Sequence, residues 1–390
     1  MKTQVAIVGG GPAGLLLSQL LHLSGIDSVV LERRSQDYVL SRIRAGVLEA
    51  GTVRVLEEAG VGARAAAEGL PHEGVEFSWH DERIRIDLEA LTGQQVTVYG
   101  QTEVTRDLYD AAAARDARIV HEAEVLRIED IETDAPVVVY RKDGAEHRLE
   151  ARFVAGCDGY HGPSRKAMPK AVHREFERAY PFGWLGLLSR TPPATPELIY
   201  AAHERGFALC SMRSNEVSRY YIQVPTTEKA ENWTPDQFWD ELKRRIPADV
   251  ADGMVTEGEV LEMSVAPLRS FVSEPMRHGS LFIAGDAAHI VPPTGAKGLN
   301  LAVGDVQYLH KALDLHFNNG KDAGIDGYSD QALSRVWKVE RFSWSLTSMM
   351  HDFPQLGAFE KRMQKADFDY LAQSEAAQKG LAENYVGLPF

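Results

Sequence analysis

The sequence runs to 390 residues, enough for two packed units or one large elaborated unit at about 150 residues per domain. Hydrophobic residues make up 44% and charged residues 25%, a balance that excludes intrinsic disorder and fibrous repeats. With 42 Lys and Arg against 56 Asp and Glu, the formal charge of −14 argues against general binding to nucleic-acid backbones or anionic lipid, so an anionic ligand has to be met by local arginines.

Cys157 and Cys210 are too few for a disulfide framework and form no CxxC metal pair, which points to a reducing compartment. Met1-Lys2 and the apolar run after it mimic a secretion signal, but Gly9-Gly10-Gly11-Pro12 breaks the apolar helix such a signal needs. No apolar stretch approaches the ~20 residues that span a bilayer. The expectation is a mature, cytoplasmic sequence.

In chain order, Gln4–Val8 is a continuous apolar run, the pattern of a strand buried on both faces. A glycine turn leads to a helix over Pro12–Leu23, with proline in the first turn where its missing N–H costs nothing. Gly25 stops that helix and Ser28–Leu31 is a second buried strand, completing a βαβ unit. Residues 38–67 read as a loop followed by one amphipathic helix. From Val75 to Val98 the period shifts towards two, as in Arg83-Ile84-Arg85-Ile86-Asp87-Leu88, which predicts a two-sided antiparallel strand. A helix near Glu103–Ala114 and strands over 119–125, 137–141 and 151–155 follow. Residues 176–267 form a further unit of aromatic and β-branched strands with a helix at 234–246. Residues 280–285 return to the buried-strand pattern, and the last sixty residues are mostly helical. No repeat or linker separates these parts, so the domains are interleaved.

Three motifs carry chemistry. Gly9-x-Gly11-x-x-Gly14 lies between a strand and a helix, and Glu32 closes the next strand 18 residues beyond Gly14. Glycines there let the backbone, with Ala13, approach a pyrophosphate at a helix N-terminus, and Glu32 can accept hydrogen bonds from a ribose. Alone this fingerprint leaves FAD and NAD open. The second motif is Gly285-Asp286-Ala287-Ala288-His289, running through Pro292-Pro293-Thr294-Gly295-Ala296-Lys297 into Gly298-Leu299-Asn300. It brings another helix N-terminus to the end of the sheet. The third is Cys157-Asp158-Gly159-x-His161-Gly162-x-Ser164-Arg165. Read locally, Ser211 and Arg213 stand two apart on one strand and Arg219, Tyr221 and Gln223 share a face of the next, a hydroxyl and a guanidinium suited to a carboxylate. No GxSxG elbow, Cys/His pair or HExxH spacing supports hydrolysis or metal catalysis, and no metal site is expected.

The second and third motifs resemble those of FAD-dependent aromatic monooxygenases, which moves the cofactor to FAD. The stretches Arg42–Glu49, Tyr99–Arg106, Tyr180–Gly186, Ala266–Ser270 and Glu383–Pro389 extend the resemblance over essentially the whole chain, closest to the members that act on 4-hydroxybenzoate. The fold this implies is α/β: a doubly wound, Rossmann-like FAD domain of the glutathione-reductase type (1–72, 97–175 and 268–345), an inserted mainly antiparallel substrate domain (73–96 and 176–267), and a helical C-terminal part (346–390). The activity implied converts 4-hydroxybenzoate, NADPH and O2 to 3,4-dihydroxybenzoate (protocatechuate) through a flavin C4a-hydroperoxide, in a homodimer.

By the same resemblance, Ser211, Arg213 and Tyr221 bind the substrate carboxylate, while Tyr200 and Tyr385 carry the phenol proton to His72, with Pro293 and Thr294 beside the phenol. Arg42, Ile43, Arg44, Ala45, Gly46, Val47 and Gln101 line FAD, as do Asp286, Gly298, Leu299 and Asn300. Arg33, Arg34, Tyr38, His161, Arg165 and Arg269 meet NADPH. A hydroxylase of a related phenolic acid, a flavin reductase or oxidase, and a flavin-binding regulator without turnover are the alternatives.

Overall fold

The computed structural model describes residues 1–41 and 46–390. The βαβ unit read from the sequence is present: strand Lys2–Val8, helix Pro12–Leu23 and strand Ser28–Leu31. Val5, Ala6 and Ile7 are fully buried, as a strand covered on both faces requires. Lys2–Val8 is central in the first sheet, parallel to Ala145–Gly156 on one side and Ser28–Leu31 on the other. Ile119–Val120 and Leu281–Ile283 extend the parallel core outwards, and an antiparallel pair, Glu124–Glu129 and Val137–Lys142, joins through Ala145–Gly156. Helices Pro12–Leu23 and Gly298–Asn319 pack together on this sheet.

The second sheet has eight strands. From one edge they are His289–Ile290, Val260–Glu274, Arg174–Ser189, Ser218–Pro225, Ala208–Met212, Ile199–Ala202, Gly74–Trp79 and Glu82–Asp87. Every pair is antiparallel except Gly74–Trp79 with Ile199–Ala202. A small third sheet joins Val47–Leu48, Val96–Val98 and Leu70–His72. One face of the large sheet carries Trp184, Tyr200, Phe207 and Leu209, which pack with Leu346, Met350 and Phe353, and with Tyr385 and Val386 from the C-terminal helix Glu375–Val386. The opposite face, with Ala208, Cys210, Tyr220 and Ile222, is closed by Phe238, Trp239 and Leu242 of the helix Pro235–Lys243.

Some elements differ from the sequence pattern. The single helix expected within 38–67 is two, Ala50–Glu58 and Ala63–Glu68, because Gly60 takes a left-handed φ of 72° that ends the first. The period-two stretch 75–98 is a hairpin, Gly74–Trp79 and Glu82–Asp87, then a helix Leu88–Thr92 and a strand Val96–Val98. Asp87 makes that change by capping the helix, accepting from the Ala90 N–H at 2.8 Å. The strand expected over 119–125 is split into Ile119–Val120 and Glu124–Glu129. Met212 is buried with Phe207 and Leu209 and not with Ala208 and Cys210, so strict alternation fails at that strand's end. Among the described residues, no helix is long and apolar enough to cross a membrane.

His351 is the polar member of the aromatic core. Its ring stacks on Phe182 and Phe207 with centroids 4.8 and 4.2 Å away, and its Nε2 accepts the Trp184 indole N–H at 2.8 Å. Burial drives its pKa down to about 3, so the folded ring is neutral. In the unfolded chain the ring takes a proton near pH 6.5, so folding stability falls as the pH drops through that value. Between pH 7 and pH 5, urea unfolding of the wild type should lose on the order of 2 kcal/mol more than unfolding of a His351→Gln variant. Equal losses would show that His351 is not neutral in the fold.

Candidate active site

The glycine fingerprint sits at the end of the central strand. Gly9 has φ 108°, a left-handed value, and its N–H donates to the Leu31 carbonyl at 2.8 Å. A Cβ on Gly14 would fall on the Gly9 carbonyl oxygen, so the helix can lie this close to the strand only with glycine there. Gly11 caps the helix without any side-chain hydrogen bond, leaving Ala13 and Gly14 in an open first turn. Space is free where Cβ atoms of Gly11 and Gly298 would stand. Helix Gly298–Asn319 likewise starts without a side-chain cap, at Gly298, Leu299 and Asn300. Two helix N-termini with unblocked N–H groups and open glycine surfaces fit a dinucleotide pyrophosphate and a polar ring system.

Of the other FAD candidates, Glu32 and Asn300 are tied to neighbouring segments by their side chains. The Glu32 carboxylate accepts from the Gly10 N–H at 2.7 Å and the Arg34 N–H at 2.8 Å, so it shapes the loop. Gly46 and Val47 enter the small sheet, and Gln101 begins the helix Gln101–Ala114. Arg42, Ile43, Arg44 and Ala45 lie outside the described residues. Asp286 is exposed beside the crevice. The Asn300 amide is already committed, accepting from the Glu49 N–H and the Thr52 hydroxyl and donating to the Val47 and Ala296 carbonyls. That leaves its backbone N–H for a ligand.

The nicotinamide candidates divide in two. Arg33, Arg34 and Tyr38 are exposed, with the Arg34 guanidinium 5.0 Å from the Tyr38 ring centre. His161 is exposed as well, and the Arg269 guanidinium lies over Tyr160 at 4.8 Å. Arg165 differs: it is buried, bonded to the Ala287 and Tyr160 carbonyls at 2.9 and 2.8 Å and to Glu175 at 3.0 Å. Its guanidinium ties the loop of the third motif to that of the second.

Ser211 lies in strand Ala208–Met212 opposite Arg219, and Tyr221 lies opposite Leu209. Arg213 falls just past the strand end, its N–H bonded to Val217. Ser211 Oγ donates to the Arg219 carbonyl at 2.7 Å, and Arg213 Nη1 donates to the Met212 carbonyl at 2.9 Å. Tyr221 also bonds Arg213. Arg213 Nε and Arg219 Nε and Nη1 are buried without a partner. Burial, with Arg219 nearby, lowers the Arg213 pKa. Two guanidiniums with unused N–H groups under one sheet face are suited to an anion. Arg219, two residues before Tyr221, was the member of this group that sequence reasoning left unassigned.

On the adjoining strand and the C-terminal helix, the Tyr200 and Tyr385 hydroxyls are 3.0 Å apart and both side chains are buried. Burial pushes Tyr200 up to about 12 and Tyr385 well above the ordinary tyrosine value. Thr294 is bonded to Thr347 at 2.8 Å, and the Pro293 carbonyl closes a turn by accepting the Ala296 N–H at 2.9 Å. His72 is buried, with neither ring nitrogen hydrogen-bonded, so it makes no hydrogen bond to the tyrosine pair. Burial lowers its pKa, partly offset by Glu197. Sequence reasoning also missed a buried ion network: Lys297 Nζ donates to Glu49 at 2.8 Å and to the Tyr385 carbonyl at 2.7 Å, while Arg335 donates to the other Glu49 oxygen at 2.8 Å.

A family model described as "FAD binding domain" matches residues 2–343. The p-hydroxybenzoate hydroxylase of Acinetobacter baylyi is 54% identical over 391 aligned positions, covering 100% of this chain and 96% of that one. The chain belongs to the FAD-dependent aromatic hydroxylase family. Solved relatives share its fold across the whole length. The p-nitrophenol 4-monooxygenase PnpA of Pseudomonas putida superposes with TM-score 0.83 at 18% identity, covering 100% of both chains. PqsL of P. aeruginosa, solved with 2-aminobenzoylacetate, gives 0.79 at 20% identity over 95% of this chain and 100% of its own. At such identities the likeness is one of fold alone. The protein is thus an FAD-binding monooxygenase.

A Gly14→Ala variant should bind FAD about 5- to 150-fold more weakly than wild type, since overpacking at this contact costs roughly 1–3 kcal/mol. Flavin fluorescence during titration of the apoprotein measures this. Unchanged affinity would place the pyrophosphate elsewhere.

Proposed function

We propose that the protein hydroxylates 4-hydroxybenzoate next to its phenol, with NADPH as reductant: 4-hydroxybenzoate + NADPH + H⁺ + O2 gives 3,4-dihydroxybenzoate + NADP⁺ + H2O. The observation that carries this reading is the pairing of a guanidinium pocket, Arg213 and Arg219 with unused N–H groups, with a buried tyrosine pair joined at 3.0 Å. One end suits a carboxylate and the other a phenol. The 54% identity to a p-hydroxybenzoate hydroxylase supports it.

In this reading Ser211, Arg213 and Tyr221 fix the carboxylate, so that the ring's phenol meets Tyr200 between Pro293 and Thr294. The backbone N–H groups of Gly11, Ala13 and Gly14 hold the FAD pyrophosphate, Glu32 holds a ribose, and Gly298, Leu299 and Asn300 offer N–H groups to the ring. When bound there, FAD would supply the redox chemistry: acceptance of a hydride from the nicotinamide and activation of O2 for transfer of one oxygen atom to the aromatic carbon. The protein's part is to make that carbon electron-rich by drawing off the phenol proton. With both tyrosines held well above neutral pH in their own ionisation, neither rests as a phenolate. The proton therefore moves by each hydroxyl giving one and taking one, from substrate to Tyr200 to Tyr385 and on towards His72.

In the same reading Arg33, Arg34 and Tyr38, with His161 and Arg269, meet the nicotinamide dinucleotide; the exposure of Arg33, Arg34, Tyr38 and His161 supports this, and two adjacent arginines favour the extra phosphate of NADPH. Arg165 supports them by holding its two loops. A homodimer belongs to the same reading, supported by Phe359, Met363 and Tyr370, exposed along one side of the helix Ala358–Gln373. So does a cytoplasmic setting.

The test is NADPH oxidation in air by the FAD-loaded protein, with and without 4-hydroxybenzoate, while 3,4-dihydroxybenzoate is quantified. Strong stimulation with near-stoichiometric product is expected. Stimulation yielding mainly peroxide would point to a related phenolic acid, and no stimulation would overturn the assignment. Tyr200→Phe and Tyr385→Phe should keep FAD and bind the acid yet lose at least ~10-fold in coupled product formation; full coupling in both would reject the relay.

A further inference from the structure

An ion pair with no part in holding FAD or the substrate lies beside the relay's outer end. His72 closes the strand Leu70–His72, and two residues later Gly74 opens the strand Gly74–Trp79. Gly74 registers opposite Asp87, and the adjoining parallel strand Ile199–Ala202 is entered from Glu197. The Arg85 guanidinium crosses over Gly74, where a Cβ would collide with it, and grips Glu197 with both prongs: Nε to Oε2 at 2.7 Å and Nη2 to Oε1 at 2.9 Å. Its Nη1 bonds Asp87 at 3.0 Å, and Thr195 fixes the turn by donating to the Glu197 carbonyl at 2.6 Å. The Glu197 side chain is only 15% exposed, so its charge is weakly screened. Through Arg85 over Gly74 the pair lies two residues from His72, and Glu197 leads into the strand that carries Tyr200, the partner of Tyr385.

We propose that the Arg85–Glu197 pair is a positioning pair that governs proton exchange at His72, with Glu197 drawing the proton onto the imidazole and Arg85 moderating that pull. The inference rests on the relay reading given above. Burial alone disfavours the imidazolium, and a histidine held neutral cannot take up a proton. A bare carboxylate beside it would retain the proton instead of releasing it. A forked arginine on that carboxylate sets the balance between uptake and release. The other charged or titratable groups nearby are Glu73 next in the chain, Asp87 on the far prong of Arg85, and the Tyr200–Tyr385 pair. The strand Val96–Val98 that pairs with His72 contributes none.

The test follows the His72 imidazole by NMR in ¹³C-histidine-labelled, FAD-loaded protein, with its signal assigned by His72→Asn. Glu197→Gln should lower the His72 titration midpoint by roughly 0.5–1 pH unit, and Arg85→Gln should raise it by a similar amount. The acid limb of the hydroxylation rate should move in the same two directions, with KM for the acid unchanged. Arg85→Lys should restore part of the wild-type midpoint, and Glu197→Asp, which keeps the charge, serves if Glu197→Gln does not fold. A loss of structure would move both Gln variants the same way, so shifts of one sign, or none, overturn the proposal. Opposite shifts in a protein that does not hydroxylate 4-hydroxybenzoate would support the pair's hold on His72 and reject the substrate reading. Hydroxylation with unmoved midpoints would reject the pair alone.

Discussion

The site depends on one buried carboxylate. Glu49 receives Lys297 on one oxygen and Arg335 on the other, both at 2.8 Å, and all three side chains are almost wholly shielded from water. Lys297 then passes a hydrogen bond to the Tyr385 carbonyl at 2.7 Å, and Arg335 donates to the Leu388 carbonyl. The segment before the helix Ala50–Glu58, the start of the helix Gly298–Asn319, the middle of the helix Ala323–Met350 and the C-terminal helix thereby meet at one point. Removing one partner from such a network costs about 3–5 kcal/mol, because the remaining charge is left buried without compensation. The Tyr385 hydroxyl, 3.0 Å from Tyr200, is held where it is because its backbone is tied to this network.

Charge is distributed accordingly. The chain as a whole carries −14, yet several cations are buried in its interior. Arg213 and Arg219 lie under the large sheet, and Lys297 and Arg335 share one carboxylate between them. An acidic exterior disfavours a polyanion that would have to lie on the surface. Trp184, Phe207 and His351 stack into one aromatic block beneath the large sheet.

What could be read from the sequence follows from what is local. The glycine fingerprint is legible because strand, turn and helix are contiguous, and the alternation that sets Ser211 beside Tyr221's strand needs only neighbouring residues. The Glu49 network is not legible: its partners lie 248 and 286 residues away, and each taken singly reads as a surface charge. Trp184 and His351, 167 positions apart, are hidden for the same reason. The error in the 38–67 stretch was local: apolar spacing continued across Gly60, and the pattern could not register that its backbone turns left-handed. Tyr200 and Tyr385, separated by 185 residues, could be paired in advance only through family resemblance.

The central claim is that this cavity draws a proton from a bound phenol. It is tested most directly by recording the ultraviolet difference spectrum of 4-hydroxybenzoate on FAD-loaded protein, without reductant, as a function of pH. The account predicts that the phenolate band of the bound acid appears at least about one pH unit below the pH at which the free acid's phenol ionises. A bound phenol that ionises at the same pH as the free acid, or higher, would contradict it.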